Sequence, residues 1–304
     1  MKILLLGCTG QLGWELQRSL APLGEVFALG SVQANNPNHW CGDLSNHGGL
    51  RQTLHLAAPD LVVNAAAYTA VDLAQSEPDK AFAINAHGPA VLAQETARTG
   101  AWLAHFSSDY VFDGGGHRPW RETDTPAPLS VYGQSKLEGD LAVASNPRHL
   151  ILRTSWVYSA RGNNFARTIL RLGAERASLR VIDDQIGAPT GADLLADVCA
   201  QALRQAMAQP RLAGVYHCAA GGQTSWHGYA GFVLDQARSL GLPVKVGAHG
   251  LQAIPSTDYP VAAPRPLNSR LDCSRLKSAF SLNLPFWQQG VGRLLQELAD
   301  NYRK

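Results

Sequence analysis

Apolar residues fall into two periods that alternate along the first half of the chain. Residues 3–6 (ILLL) form a run too short for a helix and bounded like a buried parallel strand. Beyond it, Leu12, Leu16, Leu20 and Leu23 recur at helical spacing. Residues 25–29 read as a second strand, 61–65 as a further one, 80–98 as a helix and 102–107 as another strand. A helix beginning near Tyr132 and a strand in HLILRTSWVY continue the rhythm. Such alternation predicts an α/β protein whose doubly wound parallel sheet carries helices on both faces. The Gly- and Pro-rich stretch 113–130 reads as a surface loop between them. After Gly162 the rhythm loosens into helices over 164–174, 192–207, 226–240 and 286–301 and short strands over 179–182 and 215–218. The Pro-rich region 243–266 reads as loops of a smaller C-terminal lobe. Residues 1–155 plus about 176–220 are assigned to the sheet domain, and about 156–175 plus 221–304 to the lobe.

With 304 residues, 45% of them apolar, the chain can bury a substantial core and is near the size at which a second one forms. A net charge of only +2 argues against a nucleic-acid partner, so an anionic ligand must be met by local arginines. Five cysteines, odd in number and with no close pair, read as scattered thiols of a reducing compartment. The first apolar run ends at Gly7, too short for a signal peptide, and no stretch is long enough to cross a membrane. A soluble cytoplasmic protein is expected.

The chemistry begins at GCTGQLG, where Gly7, Gly10 and Gly13 occupy the first strand-to-helix corner together with Thr9, Gln11 and Leu12. Unobstructed amides at a helix start suit a pyrophosphate, so a Rossmann-type dinucleotide site is expected, although tight turns also recruit glycine. In an open α/β sheet the ligand lies beyond the carboxyl ends of the strands, where NAAAYTAVD and SSDYVF also fall. Tyr132 and Lys136 stand one helical turn apart. An ammonium so placed favours the phenolate and is expected to lower the tyrosine pKa from about 10 toward the working pH. The second strand ends in Leu29-Gly30-Ser31, with no acid to hold a ribose hydroxyl and no arginine to clamp a 2′-phosphate. Ser31 is placed to accept that phosphate, which favours NADPH with some tolerance of NADH.

In order, these motifs resemble the extended short-chain dehydrogenase/reductase superfamily. GQLGWELQ, NAAAYTAVDLAQ, SSDYVFDG, YGQSKLEGD, LRTSWVYS, GNNFARTILRL, IGAPTGADLLAD and RPLNSRLD narrow the resemblance, across nearly the whole chain, to the dTDP-4-dehydrorhamnose reductase family. One departure is Ser107-Ser108-Asp109, where the family has Ser-Thr-Asp; the hydroxyl is kept at Ser108. The resemblance implies hydride transfer to C4 of a dTDP-4-keto sugar, with Tyr132 as proton donor, Lys136 lowering its pKa and holding the nicotinamide ribose, and Ser108 bonding the same oxygen. It places Asp43 and Leu44 near the adenine, and Ala65, Ala66 and Ala67 along the cofactor. Asp109, Trp156, Arg265 and Arg270 are placed at the substrate, the tryptophan and the arginines having structural roles as alternatives. A homodimer is implied, with Mg2+ held by Glu15 and Asp193, two acids that equally suit the first turns of helices. An NAD-recycling nucleotide-sugar epimerase and a non-catalytic regulatory subunit remain as alternatives.

Overall fold

Buried apolar runs build the central sheet of the computed structural model, which describes residues 1–31 and 40–302. Along the chain come β1 (Lys2–Leu6), α1 (Gln11–Leu20), β2 (Glu25–Leu29), α2 (His47–Ala57) and β3 (Leu61–Asn64). Short α3 (Val71–Ala74) and α4 (Pro78–Phe82) lead through a π-turn at Ala83–His87 into α5 (Gly88–Thr99). Then follow β4 (Trp102–Ser108), α6 (Val131–Ala144), β5 (His149–Thr154), β6 (Val157–Tyr158) and α7 (Phe165–Glu175). The rest comprises β7 (Leu179–Ile182), β8 (Ile186–Gly187), β9 (Thr190–Gly191), α8 (Ala192–Ala208), β10 (Gly214–His217) and β11 (Thr224–Ser225). The chain closes with α9 (Trp226–Ser239), β12 (Leu251–Ile254), α10 (Ser274–Phe280) and α11 (Trp287–Tyr302).

Six strands pair in parallel in the order β10-β5-β4-β3-β1-β2. The chain runs from β1 outward to β2 and then returns past β1 to build the other side. The crevice at the carboxyl ends of β1 and β3 is therefore the topological switch point. Alternate side chains serve opposite faces. Ile3, Leu5, Val63, Ala104 and Leu150 pack against Leu16 and Leu20 of α1 and Leu195 and Leu203 of α8. Leu4, Leu6, Val62, Leu103 and Ile151 meet Leu50 and Leu54 of α2 and Val91 and Leu92 of α5. A separate core joins Ile169, Val233, Leu234, Val291 and Leu295 beneath the smaller lobe.

The structure departs from the sequence expectations at four places. Within 243–266, expected as loops, residues 251–254 form β12, which pairs in parallel with β7; flanking prolines and an exposed face hide this four-residue run. Helix α2 was not anticipated, because Gly48 and Gly49 dilute its first turn; Asn46 caps it by accepting the Gly49 N–H at 2.9 Å. Short α10, also unanticipated, places Leu276 and Phe280 in the sheet core, whereas β7 contributes Leu179 and Val181 to the lobe core. Both elements thus pack with the unit opposite to the one assigned from the sequence. The helix expected over 80–98 is interrupted by the π-turn, which carries buried Asn85.

Candidate active site

The glycine corner is built by close backbone approach. Gly7 has a φ of 84°, and a Cβ there would lie 2.6 Å from the Ala66 nitrogen. A Cβ on Gly13 would lie 2.0 Å from the Gly7 carbonyl oxygen. Ala65, Ala66 and Ala67 thus run directly alongside the corner, and the Gly7 and Cys8 amides donate to Leu29 O at 2.8 and 3.2 Å. Gly10 caps α1 without a side-chain bond, so no cap side chain covers the first helical amides, and Thr9 and Gly10 are exposed. This cradle fits a dinucleotide pyrophosphate. Gly13→Ala is expected to destabilise the fold by ~1–3 kcal/mol and to weaken NADPH binding measured by fluorescence quenching. An unchanged melting temperature and affinity would show that the corner has room to spare.

Other expected cofactor residues stand around this corner. A Cβ on Gly42 would meet Gly30 O at 2.4 Å, which sets the Asp43–Leu44 turn beside the end of β2. Leu44 is buried in the sheet core, and Asp43 Oδ1 accepts from the Ser45 amide and hydroxyl. Ser31 is exposed just past β2. Leu12 packs onto the core, while Gln11 Oε1 accepts from Ser159 Oγ at 3.3 Å and Asn164 Nδ2 at 3.0 Å, tying the corner to the lobe.

Tyr132 and Lys136 occupy α6, which Ser130 caps by accepting the Gly133 N–H at 3.2 Å. Small residues let this helix press inward: Cβ atoms on Gly133 and Gly139 would lie 2.2 and 2.1 Å from the Tyr110 and Asn85 carbonyl oxygens. Tyr132 and Lys136 are consequently buried, the tyrosine hydrogen-bonded to Ser108 at the end of β4. Lys136 Nζ donates to Phe106 O at 2.6 Å.

The expected lowering of the phenol pKa is reversed. Burial pushes Tyr132 up to about 12, with Asp109 and Asp140 adding to the rise and a Ser108 hydrogen bond opposing it. Burial also brings Lys136 down to about 8, against the raising influence of Asp140. Desolvation outweighs the neighbouring charges because both groups lie inside the fold rather than on an open helix face. Tyr132 is therefore a neutral phenol, the form a proton donor needs. Asp109 is pushed up to about 7 by burial, against hydrogen bonds from Ser269 and Ser108.

The lobe residues are held by side-chain partners. Trp156 has a φ of 50° and stacks on Trp226 at 3.6 Å and 13°, with Gly187 against its ring; Trp226 in turn donates to Gln185 Oε1 at 3.1 Å. Arg265 pairs with Asp72 of α3 at 2.6 Å, joining the lobe to the sheet domain. Arg270 donates to Gln223 Oε1 at 2.6 Å and Asn268 Oδ1 at 3.0 Å and, among the described residues, has no acidic partner.

Glu15 pairs with Arg18 at 3.6 Å, and Asp193 Oδ1 accepts the Leu194 N–H at 2.8 Å in the first turn of α8. Among the described residues no three His, Cys, Asp or Glu side chains gather into a group that could hold a metal ion. Nor is any helix of the described residues long and apolar enough to cross a membrane. Sequence reasoning did not single out Asn64, His105, Asp140 and Arg153, a buried polar chain behind Lys136. Its signals were a histidine inside the apolar run WLAHF, an arginine inside LILRT and an acid one turn after Lys136.

A glycine cradle at the switch point of a doubly wound sheet, with a buried Tyr–Lys pair on α6 facing the end of β4, defines a dinucleotide-dependent oxidoreductase of the short-chain type. The family model described as RmlD substrate binding domain matches residues 1–300. A dTDP-4-dehydrorhamnose reductase from Salmonella typhimurium is 52% identical over 98% of both chains. Solved structures named dTDP-4-dehydrorhamnose reductase are similar as well. That from Clostridium acetobutylicum has a TM-score of 0.86 and 33% identity over 98% of this chain and 99% of that one. That from Bacillus anthracis, in complex with NADP, has a TM-score of 0.86 and 32% identity over 97% and 99%. The chain belongs to the dTDP-4-dehydrorhamnose reductase family and is an NAD(P)H-dependent oxidoreductase.

Proposed function

We propose that the protein reduces the C4 keto group of dTDP-4-dehydro-L-rhamnose to give dTDP-L-rhamnose. The observation that carries this reading is a buried Tyr132 hydrogen-bonded by Ser108 and one helical turn from Lys136, at the carboxyl end of β4, one strand beyond β3 and the glycine corner. NADPH, when bound, supplies the hydride that reaches C4. Tyr132 donates its proton to the C4 oxygen, so that the carbonyl becomes a secondary alcohol. Ser108 hydrogen-bonds the same oxygen, and Lys136 stabilises the phenolate left after the transfer. Asp109 and Trp156 line the sugar side, and Arg270 faces the diphosphate. Asp43 and Leu44 flank the adenine, and Ser31 accepts the 2′-phosphate.

The reading is tested by following NADPH absorbance with dTDP-4-dehydro-6-deoxy-L-mannose and its UDP and GDP counterparts. Turnover is expected with the dTDP sugar; preference for another base would overturn the substrate, and stoichiometric bound NAD without net NADPH oxidation would replace the reductase with an epimerase. Arg270→Ala is expected to raise KM about tenfold and to make KM less dependent on salt, with kcat little changed. An unaltered KM and salt response would remove Arg270 from the phosphate site.

A further inference from the structure

Behind the Tyr–Lys pair lies a chain of buried polar groups that touches neither the glycine corner's amides nor the lobe. Asn64 Oδ1 accepts the Ala66 N–H at 3.1 Å, which leaves its Nδ2 to donate to His105 Nδ1 at 3.0 Å. That fixes the tautomer: His105 carries its proton on Nε2. Nε2 stands 3.5 Å from Lys136 Nζ and 4.0 Å from Asp140 Oδ1. Burial and the neighbouring Lys136 hold the His105 imidazole well below its ordinary range, so it is neutral. Two donors, the imidazole N–H and the ammonium, thus face one another, which is unfavourable without a shared acceptor. Asp140 Oδ1 is a buried carboxylate oxygen with no hydrogen-bond partner, one helical turn beyond Lys136. Its other oxygen accepts from Arg153 Nε at 2.9 Å, and all four side chains are at least nine-tenths buried.

We propose that Asp140 is a positioning residue for the reaction: clamped by Arg153 and braced by His105, its carboxylate is the buried counter-charge that keeps Lys136 an ammonium at the Phe106 carbonyl. Acting through Lys136 alone, it touches neither substrate nor cofactor. The physical need is plain. A lysine enclosed this completely is driven toward its neutral amine, and beside the one carbonyl that accepts from it, an opposite charge in the same low-dielectric space is what resists that. Asp140 is the acid that acts on Lys136 in that direction.

The surroundings are otherwise accounted for. From β4 comes His105, from β5 Arg153, from α6 Tyr132, which Asp109 influences, and from β10 His217, which burial and the neighbouring Arg153 bring down to about 4 and so keep neutral. The π-turn presents uncharged Asn85, bonded to Ser135, and its His87 approaches Glu138 on the exposed side of α6. The charges of α3 and α4 pair at the surface as Asp72–Arg265 and Lys80–Glu77.

The inference rests on the reductase reading above, and the experiment separates the two. If the parent enzyme does not oxidise NADPH with the dTDP sugar, that reading fails, whereas the Lys136 titration tests Asp140 without any substrate. Selective 13C-lysine NMR on the wild-type NADP+ complex should show Lys136 protonated at pH 7; a neutral amine there would overturn the inference. Asp140→Asn is expected to move the alkaline limb of kcat and the Lys136 titration down by about one pH unit or more, which lowers kcat about twofold at pH 7 and about tenfold at pH 9, with KM unchanged. Because Asp140→Asn leaves Arg153 buried and unpaired, the double variant D140L/R153M serves as a second test, removing the ion pair in favour of apolar volume. It should show the same displacement. Asp140→Glu, which restores the charge, should recover much of the parental profile. A folded Asp140→Asn or double variant with a parental Lys136 titration and alkaline limb would overturn the assignment.

Discussion

Tyr132→Phe is expected to lower kcat by roughly two to four orders of magnitude while NADPH still binds, because the variant lacks only the hydroxyl proposed as proton donor. The ring itself is structural: it meets Tyr110 edge-to-face at 5.4 Å and packs with Ala74 and Ala81, contacts that phenylalanine keeps. Its hydroxyl is buried, which lifts the pKa to about 12 and favours the neutral phenol at neutral pH. In the proposed mechanism, proton delivery depends on what stabilises the phenolate once the proton has left, the role assigned there to Lys136 and the Ser108 hydroxyl. Single-turnover measurement of NADPH oxidation, with cofactor affinity measured separately, reads this directly. Near-parental hydride transfer in the variant would remove Tyr132 as the donor.

Lys136→Met should lower kcat by about two orders of magnitude and yet make the protein more stable at neutral pH. The lysine's ordinary value of 10.5 falls to about 8 in the fold, which at 1.36 kcal/mol per pH unit is a cost of about 3 kcal/mol. The unfolded chain binds this proton more tightly than the native one. The cost is therefore fully present below pH 8, relieved between pH 8 and 10.5, and absent above. Methionine avoids it but loses the bond to Phe106 O, worth about 1 kcal/mol, so a net gain of about 2 kcal/mol is expected at pH 7. Denaturant melts of parent and variant from pH 6 to 10 should show the gap narrowing above pH 8. A variant that is less stable than the parent at pH 7 would mean that the ammonium is better compensated than its burial implies.

Much of this was legible because it is local. The run 3–6, the glycines at 7, 10 and 13 and the helical stripe from Leu12 define a strand–turn–helix whose geometry follows from the chain's own stereochemistry. The four-residue spacing of Tyr132 and Lys136 likewise places both on one side of a helix. Regions where composition masks periodicity were not legible: α2 opens on Gly48 and Gly49, and β12 lies between prolines with half its face exposed. Glu15 stands 3.6 Å from Arg18 and Asp193 accepts a helix amide, neighbours that the spacing of two acids along the chain does not reveal.

By itself the sequence determined the α/β class, the glycine corner between β1 and α1, the spacing of Tyr132 and Lys136 and the family, since each is carried by residues close together in the chain or by motifs kept in order. Tertiary structure alone decided the protonation of those groups. The same Tyr132 and Lys136 on an open helix face would titrate with their charges helping one another. Here Gly133 and Gly139 let α6 sink against the Tyr110 and Asn85 carbonyls, and desolvation overrules that pairing. Tertiary structure likewise assembled Asn64, His105, Asp140 and Arg153, which come from β3, β4, α6 and β5. No periodicity in one dimension encodes such a meeting, because it depends on strand order and on the depth to which a helix is buried.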